Sequence, residues 1–270
     1  MNKSQKNKRI LLREIKMYLS QEFQYKGQLF AWLIADIVKI TVLCFIWIAA
    51  SKISGVQTQG YIVSYYIILI FVSKFTSDYT MEFGVRNILS GKFSNYLLKP
   101  FNYLLEYIGT NIGSNLIRVF LFLPAFILAV LWASKSGLFI AEFNPFLMVL
   151  AILAMIIGFV INLLLGNIVS LLAMGVKEMD GVRIFYYNVA SILSGEIIPL
   201  VFLPMGARFF AENLPFRYTL SFPVEILLGT STDYQIEFGF VVGIASMILL
   251  IFVYGWVYKL VKKKYEAEGL

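Results

Sequence analysis

Long apolar segments are the feature that most constrains how this chain can fold. Six stretches of about 20 mostly apolar residues recur along the sequence, and about 20 helical residues are what a hydrocarbon core of ~30 Å requires. The composition agrees, because 59% of the 270 residues are hydrophobic and 14% are charged, whereas soluble domains contain roughly 25% charged residues. The sequence therefore predicts an all-α integral membrane protein with six transmembrane helices.

Short polar segments join the six predicted spans. The approximate limits of the spans are residues 27–50, 60–76, 103–132, 145–174, 184–203 and 238–260. Residues 1–26 precede them with apolar side chains at spacings of three and four, which predicts an amphipathic helix lying in the membrane interface. Residues 205–237 are too polar to span and contain Pro215 and Pro223, so we interpret them as a re-entrant or interfacial hairpin. Residues 1–270 then form a single transmembrane domain.

The basic residues are unevenly distributed between the two sides of this topology. It places 17 of the 23 Lys and Arg residues on one side, four on the other, and only Lys39 and Arg118 within spans. Cytoplasmic segments are enriched in Lys and Arg, so we expect the inner or plasma membrane, with both termini in the cytoplasm. The net charge of +7 is explained by this distribution, and no nucleic acid partner is predicted.

The residue types exclude several kinds of catalytic site. The chain contains no histidine, so zinc-protease motifs, Ser-His-Asp triads and Cys-His pairs cannot form. Gly91 and Lys92 do not belong to a phosphate-binding loop, because Arg86 stands at the position of its first glycine and Phe93 at that of its Ser or Thr. The sequence predicts no catalytic residue, no metal site and no nucleotide site in this chain.

Residues 83–101 carry the most specific pattern. They include Ile88-Leu89-Ser90-Gly91-Lys92-Phe93 and continue to Leu97-Leu98-Lys99-Pro100-Phe101. An isoleucine, a Gly-Lys pair three residues on and a later Leu-Leu-x-Pro resemble the coupling-helix region of ABC-2 type transporter permeases, the membrane subunits of one class of ATP-binding cassette exporters. The elbow helix before the first span, the six spans and the Pro-Phe-x-Tyr of Pro215 to Tyr218 are similar to that family too.

The resemblance implies a permease that exports a substrate and has no enzymatic activity or cofactor of its own. ATP and Mg²⁺ would be bound by a separate ATPase, present in two copies, and a second permease, identical or related, would complete the assembly in the lipid bilayer. A short amphipathic coupling segment would place apolar side chains in a groove on the ATPase. The residues assigned to this contact are Ile88, Gly91, Phe93, Leu97, Leu98 and Pro100.

Polar side chains within the predicted spans are candidates for the transport pathway, because burying them in lipid is costly. They are Asp36, Lys39, Arg118, Asn162 and Glu196. Asp36 and Lys39 lie three residues apart on one helical face, so we expect them to neutralise each other; a transport role and snorkelling towards water are the alternatives. Glu196 is expected either to pair with Arg118 or to face an aqueous vestibule.

Two spans contain further departures from a simple apolar helix. Gly195, Pro199 and Pro204 interrupt the fifth span, so this segment should be buried against protein or line a wet cavity, because lipid leaves no partner for free backbone groups. The fourth span has small and polar residues at helical spacing, which predicts packing against another helix or subunit, with lining of the pathway as the alternative. These residues are Gly158, Asn162, Gly166, Asn167 and Ser170. Most of the aromatic residues Tyr65, Tyr66, Tyr186, Tyr187, Phe209 and Phe210 are interpreted as interfacial anchors, with an aromatic-lined path for an amphiphilic substrate as the alternative.

Two other functions remain as alternatives. An ion-gradient-driven secondary transporter or channel would use the ionisable residues within the spans. Against it stand the coupling-like segment and the lack of a detectable inverted repeat in the sequence. A membrane scaffold without transport activity would leave the polar residues within the spans unexplained.

Overall fold

The structure is a computed structural model that describes residues 3–24, 26–55, 57–78, 81–93, 103–141, 144–176 and 178–267. Every regular element in these ranges is helical, which confirms the all-α prediction for this part of the chain. The α-helices are α1 (Lys3–Gln24), α2 (Lys26–Ser54), α3 (Gln59–Thr76), α4 (Met81–Leu89), α5 (Tyr103–Lys135), α6 (Pro145–Leu171), α7 (Asp180–Leu193), α8 (Met205–Asn213), α9 (Ser221–Leu228) and α10 (Asp233–Ala267). Single 3₁₀ turns occupy Leu172–Met174, Leu200–Phe202 and Pro215–Thr219.

Five helical segments of the described chain are long and apolar enough to cross a membrane. They cover Gly27–Ile53, Gln59–Leu89, Leu104–Lys135, Pro145–Met174 and Asp233–Lys264. The fifth predicted span differs, because α7 ends at Leu193 after 14 residues, or roughly 21 Å at 1.5 Å per residue. The chain leaves helical geometry before Gly195 and Pro199, as predicted for this interrupted span, and α7 alone is shorter than a hydrocarbon core of ~30 Å. The protein is a multi-pass membrane protein.

Helices α3 and α6 form the centre of the bundle. The most apolar part of α3 is 72% buried, whereas that of α2 is 6% buried. Helix α6 contacts α3, α4, α9 and α10. The exposed faces of α2, α5 and α10 are rich in large apolar side chains, as expected for helices whose outer surface contacts lipid.

Small residues on α6 allow close contacts with neighbouring segments. A Cβ atom at Gly158 would collide with the carbonyl oxygen of Tyr218, and one at Gly166 would collide with the carboxylate of Asp78. Asn167 is fully buried on the same helix. The prediction that these residues mark packing against another part of the protein is confirmed.

Helix α1 lies along α5. A Cβ atom at Gly109 would lie 2.7 Å from Cβ of Glu14, and one at Gly113 would lie 3.1 Å from the carbonyl oxygen of Ile15. Leu12, which belongs to the apolar stripe predicted for an interfacial helix, is 56% exposed. One face of α1 thus contacts α5, and the face that carries Leu12 is exposed.

The segment 205–237 folds into short helices around a turn. Helices α8 and α9 flank the turn Pro215–Thr219. Arg217 in this turn pairs with Glu225 of α9, with 2.6 Å between the guanidinium and carboxylate atoms. Tyr218 and Phe222 are buried in the core beside α6 and α10. This anchoring places the turn and α9 inside the bundle, while α8 stays largely exposed.

Candidate transport cavity

A cavity of about 920 Å³ opens between α2, α3, α5, α6 and α7. All five polar residues selected from the predicted spans line it: Asp36, Lys39, Arg118, Asn162 and Glu196. Its volume lies within the ~300–1,000 Å³ typical of small-molecule sites. Residues far apart in the sequence are thereby brought to one place, and this cavity is the candidate functional site.

Two ion pairs connect α2 with its neighbours at the cavity. Nζ of Lys39 lies 2.5 Å from Oε1 of Glu196, and Lys74 pairs with Asp36. The expectation that Asp36 and Lys39 neutralise each other is wrong, because each finds an opposite charge on a different element. Of the two alternatives left open for Glu196, the structure does not show the pair with Arg118, because Glu196 pairs with Lys39 and lines the cavity.

Lys74 is a charged cavity residue that sequence reasoning did not select. The charge distribution counts it with the cytoplasmic residues at the end of the second span. In the structure it is 7% exposed, pairs with Asp36, and lies 5.8 Å from the ring centroid of Phe122. The sequence did contain a signal for Lys74, because the residue lies inside the predicted span 60–76. A charged residue within a span is a candidate for the transport pathway by the rule that selected the other five.

Hydrogen bonds from α2 and α3 hold the interrupted segment after α7. The hydroxyl of Tyr65 donates to the carbonyl oxygen of Gly195 at 2.8 Å. The carbonyl oxygen of Ile197 accepts from the Tyr66 hydroxyl at 2.9 Å and from Nε1 of Trp47 at 2.7 Å. Gly195 has φ +83°, a conformation that glycine adopts without a Cβ penalty. The prediction that this segment is buried against protein is confirmed.

Tyr65 and Tyr66 are therefore not interfacial anchors. Each is 1% exposed, and each satisfies a backbone carbonyl that a continuous helix would have bonded internally. Because lipid offers no replacement partner, these hydroxyls allow the chain to leave helical geometry next to the cavity. The interruption in turn positions Glu196 opposite Lys39.

Two asparagine side chains hold the C-terminal end of α3, and we call them the asparagine clamp (Asn115 and Asn162). Nδ2 of Asn115 donates to the carbonyl oxygens of Phe75 and Ser77 at 2.8 and 3.1 Å. Nδ2 of Asn162 donates to the carbonyl oxygen of Thr76 at 2.8 Å. The last carbonyls of a helix lack intrahelical donors, so the clamp fixes the end of α3 immediately before the segment that leads to α4.

Comparison with known proteins now identifies the family. The family model described as ABC-2 family transporter protein matches residues 30–269. The chain belongs to the ABC-2 transporter family. A comparison with curated protein sequences finds no match. Membership makes this ABC-2 permease a membrane component without a nucleotide-binding domain and implies association with an ABC ATPase.

The predicted coupling segment of the ABC-2 permease is folded against the core of the protein where the structure describes it. Ile88 and Phe93 are 6% and 0% exposed, and the ring of Phe93 lies 6.5 Å from that of Tyr258 on α10. The expectation that Ile88 and Phe93 project towards a partner is therefore wrong, and both anchor the segment to the core. Gly91 forms an exposed turn with φ +72°. Leu97, Leu98 and Pro100 lie outside the described residues.

The cavity of the ABC-2 permease is lined by charges of both signs. Among the described residues the basic groups are Lys39, Lys74, Arg86 and Arg118, and the acidic groups are Asp36, Asp78, Glu82 and Glu196. Tyr18 of α1 also lines the cavity, and burial raises the pKa of its phenol above the ordinary value. Tyr18 therefore stays neutral at physiological pH and leaves the balance of charges unchanged.

Proposed function

We propose that this chain is the permease subunit of an ABC exporter that moves its substrate out through the cavity. The observation that carries the proposal is that five polar residues of the predicted spans, contributed by α2, α5, α6 and the interrupted segment after α7, line one cavity of substrate size. Two ATPase copies, each binding ATP and Mg²⁺, would drive the cycle, and a second permease, identical or related, would complete the assembly. Transport is vectorial and forms no covalent bond with the substrate.

The proposed topology keeps six membrane crossings. Helix α7 together with the interrupted segment to residue 204 forms the remaining crossing. A non-helical segment can lie within the membrane there, because side chains of α2 and α3 donate hydrogen bonds to two of its carbonyl groups. Helix α1 lies in the interface beside α5, the segment 205–237 re-enters from the outer side, and both termini are cytoplasmic. The coupling segment 83–101 then faces the ATPase.

The coupling proposal is tested by changing two apolar side chains to charged ones. Leu97→Asp with Leu98→Asp should remove most of the ATPase from the purified complex, because a docking groove that accepts leucine does not accept a desolvated carboxylate. The measurement is ATPase copurification with the permease, together with its size-exclusion profile. The matched control, Leu97→Ile with Leu98→Ile, should keep the ATPase. Full copurification with the Asp variant would contradict the assignment.

The ion-gradient-driven transporter or channel remains the second candidate, favoured by the paired charges in the cavity. The two candidates differ in their energy source. Proteoliposomes containing the permease and its ATPase should transport when ATP is supplied and should continue after an ionophore collapses ion gradients. Transport that stops with the ionophore and ignores ATP would favour the second candidate.

A further inference from the structure

The pair Lys39–Glu196 is the more accessible of the two ion pairs in the cavity. Its side chains are 46% and 30% exposed, whereas those of Lys74 and Asp36 in the other pair are 9% and 32% exposed. Lys39 lies on α2, and Glu196 lies on the interrupted segment after α7. A ligand that enters the cavity therefore meets both members of this pair together.

The charge arrangement selects against ligands that carry a single charge. A ligand with one charge would engage one member of the pair and leave the other without its opposite charge, and a charge that a bound ligand covers without pairing it is costly. The other described residues that line the cavity include equal numbers of acidic and basic groups. They therefore supply no net charge that could replace the missing partner. A ligand with both charges can replace the pair without leaving either group unsatisfied.

Aromatic side chains lie in the same cavity as the ion pair. Trp32, Tyr186 and Tyr187 line it, and their rings supply apolar surface that also accepts cationic groups. Trp32 is 53% exposed on α2, the helix with the most exposed apolar window. The cavity thus adjoins the lipid-facing side of α2, where an apolar chain can extend from a charged group held inside.

We propose that the cavity binds a zwitterionic amphiphile, whose cationic group pairs with Glu196 and whose anionic group pairs with Lys39 in place of their mutual contact. As a statement about the substrate class, this rests on the proposed export function. Binding itself requires only the folded permease, so the two proposals can fail separately.

The test compares single-chain amphiphiles of one chain length whose head groups carry different charges. Lysophosphatidylcholine, lysophosphatidylglycerol, an alkyltrimethylammonium and a monoacylglycerol of equal chain length are added to the permease in nanodiscs, with and without its ATPase. The measurement is the probe concentration that gives half of the maximal increase in melting temperature, since a ligand of the folded state stabilises it. We expect the zwitterionic probe to act at the lowest concentration.

Neutralising one member of the pair should change this preference in a defined direction. Lys39→Gln leaves Glu196 without a partner and should shift the preference to the alkyltrimethylammonium, whereas Glu196→Gln should shift it to lysophosphatidylglycerol. Each shift should be about tenfold in relative half-maximal concentration, the size expected for one charged contact. The double variant, Lys39→Gln with Glu196→Gln, carries neither charge of the pair, so no charge is left without a partner. It can therefore be tested even if a single variant fails to fold. It should respond to the monoacylglycerol at least as well as to the zwitterion.

Arg208→Gln provides a matched control. Arg208 pairs with Glu212 at 2.7 Å on α8, with side chains 42% and 29% exposed, but neither residue is among those that line the cavity. This variant should keep the probe order of the unmodified permease. An unchanged probe order in the Lys39 and Glu196 variants would overturn the proposal. So would equal protection by glycerophosphocholine, which lacks the apolar chain. Loss of ATPase association with an intact probe order would instead contradict only the export function.

Discussion

Two carbonyl oxygens in the interrupted segment after α7 differ in the number of side-chain donors that they receive. Among the hydrogen bonds of the described residues, the carbonyl of Gly195 accepts from Tyr65, whereas that of Ile197 accepts from both Tyr66 and Trp47. A buried carbonyl that loses its partner keeps the full cost of its desolvation. The effect of removing each hydroxyl should therefore differ, although both tyrosines are equally buried.

Tyr65→Phe should destabilise the permease more than Tyr66→Phe. The first change removes the side-chain donor to Gly195 and should cost about 1–3 kcal/mol, the usual range for an unsatisfied buried group. The second leaves Trp47 bonded to the carbonyl of Ile197, so the loss should be smaller. The measurement is the melting temperature of the detergent-solubilised chain. Equal melting temperatures for the two variants would show that neither hydroxyl supports the interrupted segment.

The sequence identified four of the eight charged residues that line the cavity in the described chain, but not their pairs. Asp36, Lys39 and Glu196 could be selected because ionisable side chains are rare within apolar spans. Their partners could not be deduced, because local spacing reports only neighbours on the same helix. Lys39 and Glu196 are 157 residues apart in the chain, so their contact depends on how α2 packs beside the end of α7.

At the scale of elements, the contact between α1 and α5 depends on two glycines four residues apart. Gly109 and Gly113 form a small-xxx-small pattern, which lets two helices approach closely. The space that a side chain would need is occupied by Glu14 and by the backbone of Ile15. The pattern is readable in the sequence, but its partner helix is not.

Gly113→Leu should weaken the contact between α1 and α5. A leucine there meets the backbone of Ile15 rather than a flexible side-chain end, and overpacking of this kind typically costs about 1–3 kcal/mol. The matched control is Gly255→Leu on α10, where nothing lies within 4 Å of the added Cβ. Thermal unfolding should show a lower melting temperature for the first variant and little change for the second. The same loss in both would assign the effect to glycine replacement in general.

Element positions were predicted best where a span is continuous. The first, second, third, fourth and sixth predicted spans correspond to helices, because about 20 apolar residues with few charges have one stable form in lipid. The fifth could not be placed fully, since Gly195 and Pro199 show where a helix ends but not what replaces its hydrogen bonds. Likewise, amphipathicity located the coupling segment, yet burial of Ile88 and Phe93 depends on contacts with distant helices.

At the scale of the whole molecule, the distribution of charge predicts which end of the bundle faces the cytoplasm. Helices α1 and α4 and the C-terminal turn of α10 carry basic side chains, and the sequence that follows α4 contains Lys92 and Lys99. Lys135 and Arg208 belong to segments that the six-span topology assigns to the outer side. If the chain had one crossing fewer, α10 would run in the opposite direction and its basic end would lie outside.

Cysteine labelling in intact cells tests this topology directly. In a Cys44→Ala background, single cysteines replacing Ser4 or Glu268 should react with a membrane-impermeant reagent only after the cells are permeabilised, because the basic ends of the chain are expected inside. Cysteines replacing Lys135 or Met205 should react in intact cells. Met205 is 89% exposed, so a lack of reaction there would reflect its side of the membrane rather than burial in the protein. Labelling of Glu268→Cys in intact cells, with Ser4→Cys protected, would place the two termini on opposite sides of the membrane. The number of crossings would then be odd, and α7 with the interrupted segment would not span.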